Sequence, residues 1–212
     1  MNFSTDRDLL ALEPSVFVDL PLVGQRRVHG GDGELAGTSF TTLSGTFPAE
    51  TVNAGGVILI DGVPHEVVSR DDATTLTVSL PRDRADDPPI AGDDASGVSY
   101  AVRTFAPQTA MVHGALMHLL GVDGDDPEAA FTDQDVLSVS LMARLETLGT
   151  LERVYSSGAA LTGDNELLLL KADHYRRRFA AARERAVVLI DTDGDGFADV
   201  RRRLGETHLV RH

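Results

Sequence analysis

Carboxylates recur at alternate positions near the end of the chain, in the nine-residue segment D-T-D-G-D-G-F-A-D. A calcium ion is bound by a shell of carboxylate and carbonyl oxygens, and alternate acidic residues beside a glycine that permits a sharp turn supply such a shell. The residue types and their spacing therefore predict a calcium loop. Its expected ligands are the side chains of Asp191, Asp193, Asp195 and Asp199 and the backbone carbonyl of Phe197.

The loop departs from a standard EF-hand, because the twelfth position, where a bidentate acid is needed, is Arg202. It resembles instead the shorter calcium loops of dockerin-type and thrombospondin-type repeats. Two interpretations remain open. The loop either binds calcium or a similar hard cation in a structural role, or it is a solvated acidic turn that pairs with the arginines at positions 201–203.

Other residues that could carry chemistry do not form a catalytic set. His113 and His118 are five positions apart, so a helix places them on different faces, and His65 has no second histidine at zinc spacing. The chain has no cysteine, which excludes disulfides and thiol catalysis. We therefore predict that the protein is not an enzyme.

Charge is distributed unevenly along the chain. The net charge of -14 argues against independent binding of nucleic acid, because phosphate contacts need clustered lysine and arginine. From Leu170 to His212, however, ten basic residues face seven acidic ones. This asymmetry predicts that the C-terminal end contacts an acidic surface. We expect no transmembrane segment, because no apolar run approaches 18 residues, and no secretory signal, because the first residues lack both a basic start and an apolar stretch.

The elements that must position these residues follow the order helix, strands, helices. Thr5 and Asp8 have the spacing of a capping box that opens a short leading helix. Between residues 21 and 105 the pattern becomes short β-branched runs, and an Asp-Gly pair at 61–62 separates two of them, which is a strong hairpin signal. Several short strands over this length predict a small antiparallel barrel or sandwich.

Helical periodicity returns at residue 106 and is most regular near the end. Apolar residues between Leu168 and Leu189 alternate in steps of four and three, and a helix from 164 to 190 would be about 40 Å long. That length exceeds what a small bundle needs, so part of the helix is expected to pack on another chain. The residues predicted in this subunit interface are Ala172, Tyr175, Phe179 and Ala182.

Together these patterns predict an α+β protein, a helical bundle with a long C-terminal helix and an inserted small antiparallel β domain, either barrel or sandwich. The expected divisions are a leading helix of the bundle at 1–20, the inserted β domain at 21–105, the helical bundle at 106–190, and the acidic loop and tail at 191–212.

This arrangement resembles the head-tail adaptor (connector) proteins of tailed double-stranded DNA viruses. The resemblance rests on the leading helix T-D-R-D-L-L-A-L-E-P (5–14), the join F-A-P (105–107), the helix at 112–121, and the helix at 175–186 that runs into D-T-D-G-D-G. It implies a structural virion protein that forms a ring, usually of twelve copies, below the portal in the neck at the head-tail interface.

The resemblance also implies the partners of such a ring. They are the portal protein, neighbouring copies of the chain, and a further neck or tail completion protein, while DNA only passes through the lumen and no membrane is involved. The protein would be made in the host cytoplasm and reside in the virion. The C-terminal segment would reach the portal through Arg201, Arg202, Arg203, Leu209 and Val210.

A calcium-dependent binding module is the alternative function. In that case the β region would bind carbohydrate or protein in a calcium-dependent manner. Such a module would favour export, for which the sequence shows no signal.

Overall fold

The computed structural model describes residues 2–21, 23–122, 131–163 and 165–205. The chain divides into two compact units, one made of Thr5–Ala106 and the other of Met1–Ser4 with Pro107–His212. Below, the first is called the barrel unit and the second the helical unit.

The barrel unit contains a closed barrel of six antiparallel strands in the order β1-β2-β5-β4-β3-β6. Residues 61–62 join β3 to β4, and both have positive φ (45° and 81°), as a two-residue type I′ hairpin turn requires. The predicted hairpin is thus confirmed. The strands are β1 (Gln25–Ala36), β2 (Ser39–Thr42), β3 (Val57–Ile60), β4 (Val63–Arg70), β5 (Thr75–Ser79) and β6 (Ala95–Thr104).

Aromatic rings fill the barrel interior. Phe40 lies 5.2 Å from Tyr100 between ring centroids, and Phe47 lies 6.0 Å from Tyr100. Glycine in β1 makes room for these rings, since a Cβ on Gly33 would lie 2.5 Å from the Phe40 ring. Strand β1 therefore approaches the interior rings more closely than any residue with a side chain would allow.

Two short helices, α1 (Asp6–Leu12) and α2 (Val16–Asp19), precede the barrel in the same unit. The predicted capping box is present, because the Thr5 N–H donates to the Asp8 carboxylate at 2.8 Å. Phe17 of α2 packs on Phe105 with ring centroids 4.9 Å apart, and Arg7 of α1 pairs with the buried Glu66 of β4. The leading helices are therefore part of the barrel unit.

Three longer helices and a two-stranded sheet form the helical unit. Its core contains buried apolar side chains from α3, α4 and β7, and residues of α5 and β8 such as Phe179 and Val200 pack against it partly buried. The elements are α3 (Ala106–Leu120), α4 (Val139–Leu161), α5 (Glu166–Arg185), β7 (Val187–Ile190) and β8 (Val200–Arg203), with a 3-10 turn at Asp133–Asp135 before α4.

The fold class predicted from the sequence is wrong. Over its described residues the structure is α+β, with a closed six-stranded barrel and five α-helices, and α1 belongs to the barrel unit rather than to a helical bundle. The last helix ends at Arg185, so its 20 residues span about 30 Å rather than 40 Å. The run V-V-L-I at 187–190 explains the difference, because β-branched residues favour strands over helices.

Candidate functional site

The acidic segment forms the connection between β7 and β8, and Asp191 organises it. Backbone N–H groups of Gly194 and Gly196 donate to the two oxygens of the Asp191 carboxylate, each at 2.7 Å. Both glycines have positive φ, 78° and 86°. The Gly196 hydrogen bond above all, helped by that from Gly194, keeps the pKa of Asp191 below its usual range.

Three of the predicted ligands come together in this turn. Carboxylate oxygens of Asp191, Asp193 and Asp195 lie within 4.8 Å of one another. A hydrogen bond from the Asp195 N–H lowers the pKa of Asp193, but the charges of Asp195, Asp199 and Asp191 outweigh it, so that the pKa is raised. The carboxylates of the cluster therefore repel one another, and a hard cation bound to their oxygens would relieve that repulsion.

The other two predicted ligands have different surroundings. The Asp199 carboxylate accepts hydrogen bonds from the backbone N–H and the hydroxyl of Thr192, at 2.8 and 2.9 Å, and so closes the two ends of the turn. Phe197 donates its N–H to Asp195 at 2.8 Å, and its side chain is 75% exposed. The cluster that the structure assembles thus contains three of the five expected ligands.

The arginines predicted to bind the portal follow this turn. Arg201 and Arg203 of β8 are exposed, whereas Arg202 is half-buried on the other face of the strand. The Nε atom of Arg202 is buried and has no hydrogen-bond partner among the described residues. Leu209 and Val210, the remaining residues of that prediction, lie outside the described residues.

The residues predicted to contact a neighbouring copy pack within the chain. Tyr175 stacks on Tyr155 of α4 with ring centroids 5.9 Å apart, and Ala172 is buried. Phe179 and Ala182 are partly buried against the helical core. These contacts attach α5 to α4 of the same chain, and a role in a subunit interface stays a prediction.

Exposed apolar side chains instead form two other surfaces of the helical unit. The first, called the α3 face, consists of Ala110, Met111, Gly114, Ala115 and Leu119, all exposed, on a helix without any Asp, Glu, Lys or Arg. The second, called the leucine patch, consists of Leu161, Leu167 and Leu170, each at least 60% exposed.

A buried polar network in the helical unit was missed by sequence reasoning. Glu146 of α4 is fully buried and accepts a hydrogen bond from Nδ1 of His113 at 2.6 Å, and from the N–H and hydroxyl of Ser4 at 2.7 and 3.0 Å. The sequence signal for this network is the position of Glu146, a charged residue between Leu145 and Leu148 on an otherwise apolar helix face. Because the serine donates to the glutamate and not to the histidine, this is not the order of a nucleophilic triad.

A second missed network lies in the barrel unit. Glu66 is buried, and its carboxylate accepts from the backbone N–H of Arg82 at 2.7 Å and from Nε of Arg82 at 2.9 Å. Arg7 adds a third contact at 3.3 Å. The charge of this glutamate is thus fully paired by two arginines that are themselves nearly buried, which indicates a structural role.

No protein-family model, no curated protein and no solved structure matches the chain. Among the helices that the structure describes, none combines the length and apolar character needed to cross a bilayer.

Proposed function

We propose that the protein is a head-tail adaptor of a tailed double-stranded DNA virus, a structural protein that forms a ring below the portal. The ring joins the capsid vertex to the tail in the neck of the virion and leaves a lumen for DNA. Its partners are the portal, neighbouring copies and a further neck or tail completion protein.

The observation that carries this proposal is the pair of exposed apolar surfaces on the helical unit. The α3 face combines the small residues Ala110, Gly114 and Ala115 with Met111 and Leu119, whereas the leucine patch consists of leucines alone. Exposed apolar surfaces on an otherwise charged protein mark interaction sites. The α3 face and the leucine patch are different surfaces, so a contact between the α3 face of one copy and the leucine patch of the next is heterologous. Heterologous contacts generate closed rings when the rotation between copies closes.

The charge of the chain supports passage of DNA without binding. At a net charge of -14, a ring of copies presents a strongly negative field to phosphate. Repulsion of this kind keeps DNA from adhering to a lumen. The exposed arginines of β8 then serve contact with a protein partner.

We also propose that the acidic turn holds a structural calcium ion. Asp191, Asp193 and Asp195 supply the converging oxygens, and the raised pKa of Asp193 records the mutual repulsion that a cation would remove. An ion at this position would stiffen the turn from which β8 and the C-terminal residues depart.

The oligomeric state tests the ring. Light scattering coupled to size exclusion and negative-stain microscopy should show concentration-dependent rings, alone or after mixing with the portal ring of the same virus. The double variant Leu167→Glu with Leu170→Glu should abolish them, since a charge in an apolar contact is left unpaired and desolvated.

Ala180→Glu with Ala181→Glu is the matched control. It adds the same charge to exposed positions of the same helix outside the leucine patch, so rings should persist. A wild-type protein that remains monomeric at every concentration and never joins a portal ring would refute the proposal.

A further inference from the structure

Strand β8 lies at the edge of its sheet. In the part of the chain that the structure describes, β8 pairs only with β7, in the antiparallel register Val188↔Arg202 and Leu189↔Arg201. The opposite edge of β7 is already used, because Leu137 donates its N–H to Leu189 at 2.9 Å. Any further strand that joins this sheet must therefore add to β8.

The register determines which backbone groups point to this outer edge. Residues of an antiparallel pair alternate between positions that exchange hydrogen bonds and positions that do not. Leu204 donates to Ala186 across the pair, whereas the Leu189 N–H points away from β8 to the Ser138 hydroxyl at 3.0 Å. Leu189↔Arg201 is therefore a non-hydrogen-bonded pair. The N–H and C=O of Arg201 consequently point away from β7, toward the outer edge of the sheet.

Strand β8 carries three consecutive arginines along its outer edge. Arg201 and Arg203 share one exposed face of β8, and Arg202 on the other face has a buried Nε without a hydrogen-bond partner among the described residues. Arg201, with an exposed side chain and outward-directed backbone groups, thus presents both main-chain and side-chain donors to an incoming segment.

We infer that the outer edge of β8 binds an extended, acidic peptide segment of a partner protein by β-augmentation. Main-chain hydrogen bonds to Arg201 would fix the segment as a third strand, and carboxylates at alternate positions would contact the arginines. Naming that partner as the portal rests on the proposed function, but the recognition chemistry does not.

Charge favours an acidic partner segment over this chain's own C-terminal residues 206–212 as the occupant. The C-terminal residues 206–212 carry one acid, Glu206, and one arginine, Arg211, so they offer no net negative charge to the three arginines of β8. A foreign acidic strand complements the edge better than this tail does.

Peptide binding to the full-length protein tests the inference. The probe is a labelled seven-residue peptide of alternating valine and aspartate, compared with the same peptide bearing lysine for aspartate and with an acidic peptide N-methylated at alternate residues. Fluorescence anisotropy should show binding of the first only, because N-methylation removes main-chain donors and retains the charge. Amide hydrogen exchange should show new protection at Arg201.

Two variants separate charge from backbone pairing. Arg201→Glu should weaken binding of the acidic peptide by about tenfold or more, as expected for loss of a charge-assisted contact. Arg177→Glu, a reversal at an exposed arginine of α5, should leave it unchanged. Thermal melts of both variants show whether they remain folded.

Three outcomes would overturn the inference. They are equal binding of the N-methylated peptide, unchanged exchange at Arg201 at saturation, and protection of Arg201 in the free protein that disappears when the chain is ended after Gly205. The last would show that the tail covers the edge. Ring formation is measured separately by light scattering, so failure of this inference and failure of the adaptor proposal remain distinguishable.

Discussion

Asp193 lies among three other carboxylates, whose charges raise its pKa above the usual value for an aspartate. We expect calcium to raise the melting temperature of the wild-type protein and EDTA to reverse the effect. The effect of Asp193→Asn on the melting temperature should have opposite signs without and with calcium. Without calcium the variant should melt at or above the wild-type temperature because one repelling charge is gone, and with calcium it should melt below it because a ligand is lost.

Differential scanning fluorimetry with and without calcium measures both effects. Asp86→Asn, which neutralises an exposed aspartate far along the chain, is the control and should respond to calcium as the wild type does. A melting temperature of the wild type that is indifferent to calcium would leave the turn as an acidic turn without a metal.

The buried carboxyl of Asp6 should make the stability of the barrel unit depend on pH. Burial raises its pKa from 3.8 to about 6, against the opposing hydrogen bonds from Thr104 and the Phe105 N–H. Between these two pKa values the carboxyl is protonated in the folded state and ionised in the unfolded state. The contribution of Asp6 to the unfolding free energy is therefore fully present below pH 4 and is lost as the pH rises through 6.

Asp6→Asn mimics the protonated carboxyl and removes this dependence. The unfolding free energy of the wild type minus that of the variant should fall between pH 4 and 6, by at most about 1.4 kcal/mol per pH unit. Urea denaturation at several pH values measures the difference. Parallel stability curves for the two proteins would contradict the prediction.

At the scale of the element, the barrel depends on glycine in β1. A Cβ on Gly33 would lie 2.5 Å from the Phe40 ring, whereas one on Gly31 of the same strand would meet nothing within 4 Å. Gly33→Ala should destabilise the protein by about 1–3 kcal/mol, because the aromatic core has to move.

Gly31→Ala is the matched control and should be nearly neutral. Denaturant midpoints of the two variants give the comparison directly. Similar midpoints would mean that the barrel interior adapts to an added methyl group, contrary to the packing of Phe40 and Tyr100 described above.

The end of α5 shows why elements are harder to delimit than to detect. The heptad spacing continues through Ala186 and Leu189, but the strand-forming run at 187–190 pairs with 200–203 instead. Local periodicity permits both structures. Pairing with a strand ten residues further along decides between them, and no short window contains that information.

At the scale of the whole molecule, the two units have separate cores, and the barrel unit is a continuous segment. Its ends meet, because the Phe105 N–H donates to the Asp6 carboxylate at 2.8 Å. We expect residues 5–106 expressed alone to fold, with dispersed amide resonances and a cooperative thermal transition. A fragment without tertiary structure would show that the barrel needs the rest of the chain.

Local sequence determined several features of this protein. The capping box at Thr5 and Asp8, the Asp-Gly hairpin turn and the turn at 191–199 were predictable, because each depends on residues within a few positions of one another. Three of the expected metal ligands were found together for the same reason.

Only the tertiary structure decided how distant segments combine. Closure of the barrel joins β1 to β6, the pairing of β7 with β8 ends the last helix early, and α1 joins the barrel rather than a bundle. Glu146 likewise meets Ser4 across 142 positions of the chain. Such contacts depend on which surfaces remain to be buried once each element has formed, and that is a property of the whole chain rather than of any short segment.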